Sequence, residues 1–145
     1  MALSAGCSGS GKSTTSTSTG PAQPTSGELD KLMRTRMNAS YSQLVFLVFH
    51  AEGEHDFAKI SDESARLSDA IAGVLKLQVP PLVQSDQARA VYIDYNETLR
   101  RDNEKFVEAT AQRDITAMSA SLSKIGETCS ACHHFFRVEI KDAAE

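Results

Sequence analysis

From Glu28 onward the apolar residues recur at steps of three and four, the period of an α-helix with one face turned to a core. The first run carries Leu29, Leu32, Met33, Met37, Tyr41, Leu44, Leu47 and Val48. Thr25-Ser26-Gly27-Glu28 supplies a capping box before it and Glu52-Gly53 a stop after it. The second run carries Phe57, Ile60, Ser64, Leu67, Ile71, Val74 and Gln78, and Pro80-Pro81 prevents its continuation. Asp86 is placed to cap a third helix with Val91, Tyr92, Tyr95, Leu99, Phe106 and Ala109 on its stripe. Asp114 is placed to cap a fourth, with Ile115, Met118, Leu122, Ile125, Cys129, Cys132, Phe136 and Ile140. No alternation of the strand type competes with these runs. Four amphipathic helices with short connections predict an all-α fold, an antiparallel up-down-up-down four-helix bundle over residues 28–145. The tight connection between the third and fourth helices makes them expected antiparallel neighbours.

The pattern is missing from residues 8–27, which are almost wholly Ser, Thr, Gly and Pro. Such a stretch cannot bury apolar surface, and a flexible tether is expected there. Gly6-Cys7-Ser8-Gly9-Ser10-Gly11-Lys12-Ser13 fits the phosphate-loop pattern G-x-x-x-x-G-K-[ST]. That chemistry needs a buried strand before the loop and a helix after it. Five residues precede Gly6 here, Thr14 to Thr19 is a poor helix former and no parallel sheet follows, so the match is incidental. Leu3-Ser4-Ala5-Gly6-Cys7 instead resembles the end of a bacterial lipoprotein signal, and residues 1–7 are read as its remnant. That resemblance implies a lipid on Cys7 and anchoring to a membrane by acyl-chain burial. Leu3 departs from the pattern by standing four residues before the cysteine rather than three, and the basic and apolar regions of a signal peptide are not in the sequence.

Charge and composition remove several classes. The net charge of -4 gives no footprint for nucleic acid. No run approaches the ~20 apolar residues of a spanning helix. No paired carboxylates or nucleophile-base set mark an enzyme. The three cysteines cannot all pair, and two of them stand in Cys129-Ser130-Ala131-Cys132-His133. C-x-x-C-H is the signature of covalent haem attachment. On a helix Cys129 and His133 share a face and Cys132 flanks it, so two thiols meet two vinyl groups of one porphyrin while the imidazole reaches the iron. A thioredoxin-like C-x-x-C belongs at the start of a helix in a strand-rich fold. Zinc held by Cys129, Cys132, His133 and His134 would need four ligands from six residues of one helix to surround one ion.

Thr128-Cys129-Ser130-Ala131-Cys132-His133-His134-Phe135-Phe136-Arg137, together with Leu32-Met33-Arg34 in the first helix, resembles the cytochrome c-prime family, its low-spin members included. The resemblance spans roughly residues 28 to 140. It implies one haem c per chain, thioethers at Cys129 and Cys132, His133 as proximal ligand, and Arg137 close to the haem. On the other side of the iron it implies a first-helix residue: Met33, which follows Leu32 and precedes Arg34, or Met37 as the alternative. A methionine there closes the sixth position and suits one-electron transfer with redox proteins as partners. An apolar, non-ligating residue would leave a five-coordinate iron that takes nitric oxide or carbon monoxide. Haem c is attached outside the cytoplasm, so the expected location is the periplasm or the outward face of a bacterial membrane. The resemblance also implies a homodimer through the first two helices, for which Phe46 and Phe49 would be available.

Overall fold

The structure, a computed structural model, describes residues 26–51, 53–77, 83 and 85–136. The expected capping threonine Thr25, the Pro80-Pro81 stop, Gln78 and Ile140 lie outside the described residues. The bundle is all-α and four-helical, as the stripes require. The first helix runs through three consecutive stretches: α1 (Ser26–Leu32), a π-helical stretch (Met33–Asn38) and α2 (Ala39–Phe49). The second, third and fourth helices are α3 (Phe57–Lys76), α4 (Asp86–Gln112) and α5 (Ile115–Phe136). The first helix stops at Phe49, a little before the expected Glu52-Gly53.

The π-helical stretch has a reason in the sequence. Leu29, Met33, Met37 and Tyr41 succeed one another in three steps of four. An α-helix turns roughly 40° too far at each such step, about 120° in all. A π turn holds an extra residue and takes up about 100° of that drift. Leu29 and Leu32 before it, Met33 and Met37 within it, and Leu44 and Val48 after it therefore all face the core. Leu32 lies against Gly73 of α3, where a Cβ would stand 3.0 Å from a leucine methyl, so this glycine admits α1 closely.

The helix starts are set by caps. Asp56 accepts from the Lys59 N–H at 3.1 Å, and Asp114 accepts from the Ala117 N–H at 2.9 Å. The third helix corrects the sequence reading: Ser85, not Asp86, is its cap, its hydroxyl accepting from the Ala88 N–H at 3.0 Å. Asp86 is the first helical residue, its charge at the positive end of the helix dipole. Arg113, with φ 56°, turns the chain sharply from α4 into α5, and Asp114 N–H returns to the Ala109 carbonyl at 3.0 Å. These two helices pack as antiparallel neighbours along their length.

Leu44, Ile60, Leu67, Phe106, Met118 and Leu122 are fully enclosed at the centre, contributed by all four helices. Burying a side chain of this size stabilises by ~1.5–3 kcal/mol. A polar row also enters the bundle: Asn103 Nδ2 donates to the Ser68 hydroxyl at 2.8 Å, which donates to the Ser64 carbonyl at 2.9 Å. No helix among the described residues is long and apolar enough to cross a membrane.

Candidate haem-attachment site

Cys129, Cys132 and His133 fall in the last two turns of α5, on the flank between the first and third helices. Cys129 continues the stripe Met118, Leu122, Ile125 and packs at the margin of the core. It lies near Tyr41 of α2. Cys132 lies near Tyr92 of α4. Both are free thiols, and burial pushes each from 9.0 up to about 11, with nearby Cys132 adding to the rise at Cys129. They are therefore held neutral at physiological pH. His133 is half-buried, and desolvation holds its imidazole below the usual histidine range. The neutral ring is the form that ligates a metal. His134, beside it, is exposed.

An aromatic wall stands next to the motif. Phe136 meets Tyr92 edge-on with ring centroids 6.0 Å apart, Phe135 meets Phe136 at 4.8 Å, and Tyr95 meets Phe135 at 6.4 Å. His133 Nδ1 is buried with no hydrogen-bond partner among the described residues, while the buried Tyr92 hydroxyl has the Asn96 side chain beside it. Buried polar atoms are rarely left unmatched. Asn103 Oδ1, also unmatched, sits away from the motif between α3 and α4. The unmatched ring nitrogen at the motif points to a further group that completes the site.

Met33 and Met37 both lie in the π-helical stretch. Met37 is buried in the core, and Met33 is half-buried at its margin. The first helix reaches the fourth through α2: the Tyr41 hydroxyl donates to the Leu122 carbonyl at 3.4 Å and lies over Gly126. Because the two helices are antiparallel, the methionines continue from Tyr41 in the direction in which α5 continues to Cys129 and His133. Along that course the backbones of α1 and the π-helical stretch come close to α3 and not to α5. The first and fourth helices thus stand further apart beside the motif than at Tyr41.

These residues fit a covalently held haem: two thiols and a neutral imidazole on one flank, aromatic rings alongside, and an unmatched ring nitrogen. A zinc cluster is not assembled, since no three His, Cys, Asp or Glu side chains among the described residues converge to hold a metal ion. Arg137 and Cys7 lie outside the described residues. Two grooves lie elsewhere, one of about 660 Å³ between the first helix and α3 and one of about 300 Å³ between α3 and α4. Sequence reasoning missed the π-helical stretch, the seat of Tyr41 on Gly126 and the placing of Tyr92 beside Cys132. The repeated step of four and a glycine inside the fourth stripe were the available signals for the first two.

Fold and site together define a four-helix bundle with a Cys-x-x-Cys-His motif on an inner flank of its last helix. No protein-family model and no curated protein matches the chain. Among solved structures it is similar to a leucine-to-alanine mutant of cytochrome c prime from Alcaligenes xylosoxidans, in complex with nitric oxide. The two share 19% identity with a TM-score of 0.60, over 79% of this chain and 95% of the other. The chain thus has the cytochrome c prime fold.

Proposed function

We propose that the chain is a monohaem c-type cytochrome that transfers single electrons outside the cytoplasm. Cys129 and Cys132 hold the haem as thioethers, and His133 is its proximal ligand. The reading rests on one observation above others: the motif occupies a flank of α5 where two enclosed thiols stand beside His133, whose Nδ1 is buried without a partner among the described residues. The haem supplies the one-electron couple; the bundle excludes water from it and sets its ligands. Met33 is the sixth ligand, with Met37 the alternative. Its half-buried place at the core margin leaves the Met33 thioether freer than that of Met37, which is already packed. Cys7 tethers the protein to a membrane through a lipid, and residues 8–27 give the bundle reach toward its redox partners.

A second reading has its own support. The similar solved structure is a nitric oxide complex, and the backbone of α1 and the π-helical stretch does not come close to α5. A five-coordinate iron binding nitric oxide or carbon monoxide would suit both facts. The optical spectrum of the reduced protein with and without carbon monoxide separates the readings. The carrier gives a narrow low-spin spectrum that ignores the gas. Met33→Leu then becomes gas-reactive, whereas Met37→Leu keeps the low-spin spectrum and costs under ~1.5 kcal/mol of stability, as a volume-conserving swap. A high-spin wild-type spectrum with rapid gas binding removes Met33 from the ligand set.

A further inference from the structure

Tyr41 joins the first helix to the fourth immediately before the attachment motif. Its hydroxyl-to-carbonyl contact with Leu122, 3.4 Å, is long for a hydrogen bond between oxygens. The firmer feature is steric. A Cβ on Gly126 would overlap the Tyr41 hydroxyl and stand 3.2 Å from the ring carbon that bears it. Glycine weakens a helix interior relative to alanine, and the ring it receives explains why one stands in the middle of α5. Gly126, Cys129 and His133 stand at i, i+3 and i+7, on one face of that helix. Tyr41 is half-buried, and burial together with nearby Cys129 raises its hydroxyl above the usual tyrosine range.

We propose that Tyr41, seated on Gly126, is a positioning residue for the haem: it fixes how closely the first helix approaches the fourth one turn before Cys129, and so how far the methionine-bearing π-helical stretch stands from the iron. The proposal rests on the haem reading above. In this role Tyr41 acts through the separation of the two helices. The backbone of the π-helical stretch does not come close to α5, and Tyr41, three residues beyond the end of that stretch, holds the first helix to the fourth.

The test uses the full-length chain with its haem attached, as wild type, Gly126→Ala, Tyr41→Phe and the double variant. Covalent haem content, the low-spin share of the reduced spectrum with and without carbon monoxide, and the thermal midpoint are read for each. Wild type and Tyr41→Phe should both ignore the gas; a wild type that binds it overturns the methionine ligand and the proposal with it. Gly126→Ala should lose low-spin share and bind carbon monoxide, because the new methyl displaces the ring. The double variant should regain the wild-type spectrum, because without the hydroxyl oxygen only the 3.2 Å approach to the ring carbon is left, which a small shift of the ring relieves. A Gly126→Ala spectrum that still ignores the gas, or gas binding that Tyr41→Phe does not reverse, overturns the proposal even if the thermal midpoint falls. If Gly126→Ala does not accumulate as folded protein, Tyr41→Ala removes the wedge from the other side. It must then bind the gas, and a wild-type spectrum there overturns the proposal. Wild-type protein without covalent haem overturns the haem reading and the proposal together; haem-bearing protein that ignores these substitutions overturns the proposal alone.

Discussion

Cys129 and Cys132 are three residues apart on one helix, yet they face different neighbours, Tyr41 on one side and Tyr92 on the other. Burial dominates both, raising each thiol from 9.0 to about 11. The thiolate fraction of the haem-free chain near pH 8 is then about 100-fold lower than that of an ordinary cysteine. Alkylation by iodoacetamide should be slower by that order in the folded haem-free chain than after denaturation, and should rise with pH until about 11. Equal rates in the two states would mean that the thiols are not enclosed. His133 is depressed by the same desolvation, so the three groups of the motif are all neutral as the chain folds. A neutral motif can enter an apolar flank without the cost of burying charge.

The π-helical stretch carries its own prediction. Deleting Thr35, whose side chain is exposed and returns to the Lys31 carbonyl at 2.7 Å, converts the steps of four into the ordinary alternation of three and four. The helix should become α-helical throughout, and the thermal midpoint should hold within a few degrees, a change of under ~1 kcal/mol. Deleting Val45 from the regular α2 instead rotates the last turn of that helix by about 100° and should abolish cooperative unfolding, because Val48 leaves the core. Circular dichroism on heating distinguishes the two. The sequence pattern made the helices legible because their stripes are long and one-sided, and Asp114 was legible as a cap because it stands alone at the corner. Ser85 was not, since an acidic residue beside it offers the same chemistry one position later. The buried Asn96, Asp102 and Asn103 of α4 were hidden too, because a stripe read from apolar residues passes over polar ones. At the site the motif itself was plain, while Tyr41 looked like one more stripe residue until Gly126 was seen beneath it.

The whole molecule presents two faces of different character. The motif flank is closed by aromatic rings from α4 and α5. Elsewhere α2 exposes Phe46 and Phe49, 58% and 48% accessible, and the same helix forms one wall of the groove shared with α3. Arg36, Lys59 and Arg66 line that groove together with Asp62, Glu63 and Asp69, a balance of signs that a second copy of the chain can match across a two-fold axis. A homodimer through this face predicts that Phe46→Glu with Phe49→Glu yields a monomer in sedimentation velocity with its haem spectrum intact; an unchanged sedimentation coefficient would place any dimer contact elsewhere. The proposed membrane tether is independent of this face, since Cys7 precedes the bundle in the chain.

The central claim is the covalent haem, and acid-solvent extraction tests it most directly. The chain is produced where haem c is attached, denatured, and extracted with acidified organic solvent. A haem held by two thioethers stays with the polypeptide and adds the mass of one haem to the intact chain, and Cys129→Ser with Cys132→Ser releases it to the solvent. Wild-type chain that leaves the extraction colourless, at its bare polypeptide mass, would contradict the claim.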